Sequence, residues 1–76
     1  MRQDRMRPSA DHWLNAVFAA KAARSGGVVR RSVMWVEREI GRKRFVDEVR
    51  ARGFHMVECG GQFVVICNGG GLRVVC

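Results

Sequence analysis

The chain has 76 residues, a formal net charge of +7 and an apolar content of 47%. This length leaves room for one small domain, and this apolar content is that of a folded protein rather than a disordered one. The charge predicts an anionic partner, which could be nucleic acid, an acidic protein surface or an anionic membrane. No apolar run approaches the roughly 20 residues of a membrane helix, and no signal peptide is visible, so we expect a soluble, cytoplasmic protein without membrane contact.

Residues 1–8 contain three arginines and no hydrophobic period, which predicts a flexible basic arm ahead of one compact domain over residues 9–76. Ser9 is a suitable N-cap for a first helix that we expect to end near Ser25, before Gly26 and Gly27. The buried stripe of this helix is predicted from apolar residues that recur at helical spacing, which are Trp13, Leu14, Val17 and Phe18.

Residues 28–40 are ambiguous. As a helix, they place Val29, Val33, Val36 and Ile40 on one stripe, and Ser32 could cap a shorter version. As a strand, they show no clean polar face. The helix is favoured, and the strand is kept as the alternative.

A further helix is predicted over residues 42–52, with Gly41 as the break before it and Gly53 as its C-terminal cap. Its first turn holds Arg42, Lys43 and Arg44, where the helix dipole disfavours positive charge. Pairing at a spacing of four residues, Lys43 with Asp47 and Arg44 with Glu48, is expected to offset part of this cost.

Residues 54–67 predict a β-hairpin, because two β-prone runs flank Gly60 and Gly61, and glycine supplies the positive φ angles of a tight turn. A third strand is expected over residues 72–76, antiparallel to the second, with Cys67 opposite Leu72. Strict alternation then predicts one core face, formed by Phe54, Met56, Phe63, Val65, Cys67, Leu72, Val74 and Cys76. The opposite face is too apolar for ordinary solvent surface and gives a candidate apolar interface, formed by Val57, Val64, Ile66 and Val75.

The predicted fold class is therefore α+β, with two or three helices packed on one face of a small antiparallel three-stranded sheet. The expected order is helix, helix, helix, hairpin and strand. If residues 28–40 form a strand, the order becomes α-β-α-β-β.

Catalytic and metal sites have little support in the sequence, so we expect no enzyme, no cofactor and no metal. His55 and Cys59, the one pair that could suggest a nucleophile, would lie about 13 Å apart along a strand, beyond hydrogen-bond reach. The three cysteines lack the close ligand pairs of zinc sites and are expected to be buried, reduced thiols.

The positive charge is concentrated in residues 24–52, which hold nine basic and four acidic residues. This bias predicts a basic helical face that binds a partner. Its candidate residues are Arg30, Arg31, Arg38, Arg42, Lys43, Arg44 and Arg50. Two classes of function fit such a face, and the sequence leaves open whether the protein is a monomer or a homodimer.

The first class is a DNA-binding module or transcriptional repressor, because the predicted element order is that of a winged helix-turn-helix. In that arrangement Arg42, Lys43 and Arg44 enter a groove, and the Gly60-Gly61 turn forms the tip of the wing. Two features oppose it: acidic residues follow on the same helix, at Asp47 and Glu48, and the turn carries no basic residue.

The second class is a non-enzymatic inhibitor that binds another protein. Three runs carry a resemblance: V-x-x-V-E-R-x-I-G over residues 33–41, F-x-x-E-V-R-x-R-G-F over residues 45–54, and E-x-G-G-Q-F-V-V-x-C-N over residues 58–68. Together they resemble small proteins of phages and mobile elements, in particular the anti-CRISPR proteins directed at type I-C systems. The resemblance implies binding to a bacterial CRISPR-Cas surveillance complex and blocking of target DNA engagement. Because this chain is basic, its docking site there is expected to be an acidic patch of a Cas subunit. The sequence analysis favours this inhibitor, with DNA binding as the alternative.

Overall fold

The computed structural model describes residues 9–76, so the predicted arm over residues 1–8 lies outside the described residues. The elements in chain order are α1 (Ala10–Phe18), α2 (Lys21–Arg24), β1 (Val28–Ser32), α3 (Val33–Glu39), α4 (Arg42–Ala51), β2 (His55–Cys59) and β3 (Gln62–Ile66). The α+β class is confirmed, with helices beside one antiparallel three-stranded sheet. Within residues 9–76, no helix is both long and apolar enough to cross a membrane.

The first helix begins where the sequence predicts, since the Ser9 hydroxyl accepts a hydrogen bond from the His12 backbone N–H at 3.2 Å. It ends earlier than predicted, because Ala20 is extended (φ −58°, ψ 147°) and separates α1 from the short α2. On one continuous helix, Phe18 and Ala23 would point in directions about 140° apart. The break lets both side chains reach the core, where both are buried.

The prediction of one helix over residues 28–40 is wrong for its first part. Residues 28–32 form β1, and α3 begins at Val33 with the Ser32 hydroxyl accepting from the Trp35 N–H at 3.1 Å. Pairing with β3 outweighs the helical stripe, because it buries Val29 directly opposite Val65.

The sheet has the order β1-β3-β2, with both neighbouring pairs antiparallel. The predicted hairpin register is confirmed, with Cys59 opposite Gln62. The predicted third strand over residues 72–76 is wrong, because these residues belong to no strand and β1 occupies the second edge of β3. A further bond, from the Cys67 N–H to the Gly27 carbonyl at 2.8 Å, extends this β1–β3 pairing beyond the strands.

The core lies between the helices and the inner face of the sheet. Its centre is Phe45, fully buried, whose ring lies 6.1 Å from that of Phe18 and 5.8 Å from that of Phe63. The predicted core residues Leu72, Val74 and Cys76 are instead exposed, because their segment lies outside the sheet. The other described members of the core are Leu14, Val17, Ala23, Val29, Val36, Val49, Val65 and Cys67.

The end of α4 confirms the predicted glycine cap. Gly53 has φ +73°, and its N–H donates to the Arg50 carbonyl at 2.9 Å. The next N–H, of Phe54, donates to the Val49 carbonyl at 3.1 Å. These bonds satisfy carbonyl groups that the helix end would leave open, and they direct the chain into β2.

Candidate functional site

The helices α3 and α4 follow one another with only Ile40 and Gly41 between them. The N–H groups of Ile40 and Gly41 both donate to the Val36 carbonyl at 2.8 Å, which ends α3. Gly41 has a backbone φ of +95°, which residues with a side chain rarely adopt. Its carbonyl accepts a hydrogen bond from the Phe45 N–H at 3.1 Å. The glycine thereby turns the chain from one helix into the next without a loop.

The orientation of α4 follows from its buried side. Phe45 and Val49 face the core, so Lys43, Asp47 and Arg50 lie on the outward side, at spacings of four and three residues. The Lys43 side chain is 89% exposed. The helix therefore presents a polar, mixed-charge face to solvent directly after the turn.

The side chain of Arg42 is 48% exposed and is engaged by other elements of the fold. Its guanidinium pairs with Glu58 on β2 (Nη2 to Oε1, 2.6 Å) and with Glu37 on α3 (Nη1 to Oε2, 3.6 Å). The same group lies 5.1 Å from the centre of the Phe63 ring, within cation–π range. Arg42 thus joins three elements, and its role is structural as well as electrostatic.

The other basic residues of α4 are also paired. Lys43 pairs with Asp47 at 2.8 Å, as predicted, and this hydrogen bond lowers the pKa of Asp47 below its ordinary value of 3.8. The predicted partner of Arg44, Glu48, is wrong: Arg44 pairs with Asp11 on α1, and Glu48 pairs with Arg52 at 2.7 Å.

The described carboxylate side chains are all engaged in ion pairs with basic residues, and they are Asp11, Glu37, Glu39, Asp47, Glu48 and Glu58. Glu39 pairs with Arg38, whose Nε lies 3.2 Å from the Glu39 Oε2. The basic residues that form no ion pair within the described chain are Lys21, Arg24, Arg30, Arg31, Arg50 and Arg73. The unbalanced positive charge therefore lies largely outside the first turn of α4.

The predicted basic face is divided by the fold. Arg38, Arg42, Lys43 and Arg44 belong to α3 and α4, whereas Arg30 and Arg31 lie on β1 and alternate between the two faces of the sheet. The guanidinium of Arg31 donates to the Arg30 carbonyl at 2.7 Å. Lys21 and Arg24 were missed by the sequence analysis, although they lie next to residues 28–32 in the chain.

The hairpin turn carries no charge and is tied to α3. Gly60 and Gly61 both have positive φ, of 58° and 76°, as the two-residue turn requires. The Gly61 carbonyl accepts the N–H of Val33, the first residue of α3, at 2.9 Å. The turn therefore supports the start of a helix instead of projecting as a free wing.

The outer face of the sheet carries several apolar side chains that are partly exposed. Val57 is 42% exposed, Val28 is 49% exposed, and Val64 and Ile66 are half-buried. The structure thus brings together three of the four predicted apolar interface residues. Val75 does not join them, because it lies in the irregular segment 72–76 and is 91% exposed.

His55 and the cysteines differ in their surroundings. His55 is half-buried, and its Nε2 lies 2.6 Å from the Gly70 carbonyl oxygen. The expectation of buried thiols holds for Cys67, whose pKa is raised by burial, but it is wrong for the exposed Cys59 and Cys76. Residues 9–76 contain no cluster of three or more His, Cys, Asp or Glu side chains suited to a metal ion.

Comparison of the chain with protein-family models, with curated proteins and with solved structures finds no match.

Proposed function

We propose that this chain is a DNA-binding domain of the helix-turn-helix type, with α4 as its recognition helix. The observation that carries the proposal is the topology. A helical segment, a strand, two helices joined by a tight turn and a hairpin follow one another, and the first strand pairs with the last. This arrangement places α4 immediately after the turn, as in helix-turn-helix proteins, where the second helix lies in the major groove.

The outward face of α4 supports the same function. Recognition helices contact base edges with residues near their N-terminus, and Lys43 occupies that place with its side chain almost fully exposed. Lysine can donate to the O6 and N7 acceptors of guanine. Arg50, two turns further along the same side, forms no ion pair in the described chain and is available to a phosphate.

The ion pairs of α4 do not oppose this use. The Lys43–Asp47 and Arg44–Asp11 pairs are exposed, and exposed ion pairs are weak because water screens them. Exchange of a carboxylate partner for a phosphate therefore costs little, and the release of counterions from DNA favours it. Arg42 is excluded from this exchange, because it also packs on Phe63.

The experiment is a titration of duplex DNA at several salt concentrations, with random-sequence duplex and an enriched target. Binding is expected to weaken with a linear dependence on the logarithm of the salt concentration. The Lys43→Gln variant is expected to lose sequence preference as well as affinity, because it alters the groove-facing side. Arg73→Gln, which removes one exposed charge outside the helices, is the matched control. Absence of duplex binding at 50 mM salt would refute the proposal.

A second candidate function is the protein-binding inhibitor that the sequence resemblance implies, and the partly exposed outer face of the sheet favours it. This face carries an apolar patch that DNA would not contact, formed by Val28, Val57, Val64 and Ile66. An inhibitor of a CRISPR-Cas surveillance complex could dock through this patch, with its basic residues on an acidic rim of a Cas subunit.

The two candidates differ in which surface they need. Co-elution with a type I-C surveillance complex that is lost in Val57→Asp but retained in Lys43→Gln would favour the inhibitor. Folding of the Val57→Asp variant, checked by its thermal midpoint, is the control. Duplex binding that survives Val57→Asp and weakens in Lys43→Gln would favour the DNA-binding domain.

A further inference from the structure

A hollow of about 240 Å³ lies between α4 and the start of β2. The residues that line it come from α4 and from residues 54–56, and they are Val46, Val49, Arg50, Phe54, His55 and Met56. The hydrogen bond from the Phe54 N–H to the Val49 carbonyl, 3.1 Å long, joins the two sides. The glycine cap at the end of α4 therefore fixes the shape of the hollow.

The lining of the hollow is mainly apolar. Val49 is buried, whereas Val46, Phe54 and Met56 are half-buried. Phe54 and Met56 also pack against the hydrophobic core, which restricts their freedom to move into the hollow and fill it. Sites for drug-sized molecules have volumes of about 300–1,000 Å³, so a ligand of this hollow would be smaller than such a molecule.

Among the described residues that line the hollow, Arg50 is the one with a permanent charge. It follows Val46 by four residues, so the two side chains lie on the same side of α4. Asp47 is bonded to Lys43 at 2.8 Å, and Arg50 forms no ion pair within residues 9–76. The exposed guanidinium of Arg50 is therefore open to an anion from outside the chain.

The other polar groups near the hollow leave room for one anionic group only. The Nε2 of His55 lies 2.6 Å from the Gly70 carbonyl oxygen, which can only accept, so Nε2 carries the proton. The neutral ring then presents Nδ1 as an acceptor, which does not attract an anion. The last carbonyl groups of α4 would repel an anion, but they accept the N–H groups of Arg52, Gly53 and Phe54.

We propose that this hollow binds a small carboxylic acid with an apolar tail, whose carboxylate contacts the guanidinium of Arg50. A guanidinium matches a carboxylate through two parallel hydrogen bonds. The apolar tail would lie on Val46, Phe54 and Met56, where its removal from water favours binding. This ligand site goes beyond the proposed DNA-binding function and does not depend on it.

The test is an NMR titration of the isotope-labelled chain with hexanoate, and with hexanamide as the uncharged analogue of the same length. Saturable shifts are expected for the methyl groups of Val46 and Met56 and for the ring of Phe54. A ligand of this size should have a Kd in the millimolar range. Hexanoate should bind about three to five times more tightly than hexanamide, because only the carboxylate forms an ion pair with the exposed Arg50.

The variant Arg50→Gln should bind hexanoate only as weakly as the unsubstituted chain binds hexanamide. Arg30→Gln is the matched control, because Arg30 is also exposed and without an ion pair in the described chain but lies on β1. This variant should keep the full affinity for hexanoate. Circular dichroism of each variant checks that the fold is kept.

Three results would overturn the site. Shifts of the lining residues that never saturate would show that the hollow holds no ligand of this class. Equal Kd values for hexanoate and hexanamide, or for Arg50→Gln and the unsubstituted chain, would remove the carboxylate contact. An equal loss of affinity in Arg30→Gln would show that general positive charge attracts the acid. None of these results bears on the DNA-binding proposal, which the duplex titration tests separately.

Discussion

Replacement of Phe45 by alanine should nearly unfold the domain, because this ring is the centre of the core. Phe45 is fully buried and lies between the rings of Phe18 and Phe63. Truncation of a buried phenylalanine costs about 3–5 kcal/mol, from lost burial and from the cavity left behind. A chain of 76 residues has a free energy of unfolding of about 4–11 kcal/mol, so the substitution removes a large share of it.

The assay is urea denaturation followed by circular dichroism. For a small domain the dependence of the free energy of unfolding on urea is about 1 kcal/mol/M, so Phe45→Ala should move the midpoint by about 3 M or more. Phe45→Leu keeps an apolar group in the site and should cost about 1–2 kcal/mol, which keeps the variant measurable. Val75→Ala, at a largely exposed position, is the control and should stay within about 0.5 kcal/mol. A cost below 1 kcal/mol for Phe45→Ala would refute the view that this ring holds α4 on the sheet.

Three further predictions concern a helix cap, an ion pair and a thiol. Ser32→Ala should lower the free energy of unfolding by about 1 kcal/mol in urea denaturation, because α3 loses its cap; an unchanged midpoint would contradict this. The lowered pKa of Asp47 means that its pair with Lys43 contributes stability above the ordinary carboxyl pKa, and loses it as the pH falls through the folded-state pKa. An NMR titration should therefore give Asp47 a higher pKa in the Lys43→Gln variant, and equal values would refute the pairing. Cys67, buried and with a raised pKa, should react with a thiol reagent far more slowly than the exposed Cys59, and equal rates would show that the site opens readily.

The sequence predicted the hairpin and α4 well because their signals are local. Gly60 and Gly61 between β-prone runs indicate a tight turn, and Gly41 and Gly53 bracket a helix of the right length. The identity of the third strand depended instead on distant contacts. Residues 28–32 and 72–76 are both short and β-prone, and only the folded chain shows that β3 pairs with the former.

The boundary at Ser32 illustrates a second limit. Residues 28–40 carry a helical stripe throughout, yet the first part is a strand, because pairing of Val29 opposite Val65 is a property of the sheet and not of the segment. The serine was noted as a possible cap, and it is the actual start of the helix.

The sequence predicted which basic residues belong to the candidate site, but it did not predict which carboxylates they pair with. The basic residues were visible, whereas the pair between Arg44 and Asp11 joins residues far apart in the chain. The bridge of Arg42 to Glu58 likewise depends on the packing of α4 against β2. Which basic residues are left without an ion pair in the described chain is therefore known only from the three-dimensional structure.

The contact between the hairpin turn and α3 limits how this chain can vary in length. Most surface turns accept inserted residues readily. Here the hairpin ends level with β1, since Ser32 lies opposite Gln62, and Gly61 supplies the backbone partner of Val33. An insertion between Gly61 and Gln62 would move the Gly61 carbonyl away from Val33 and leave the start of α3 unsupported. The direct join of Gly61 to β3 therefore sets the backbone contact at the start of α3.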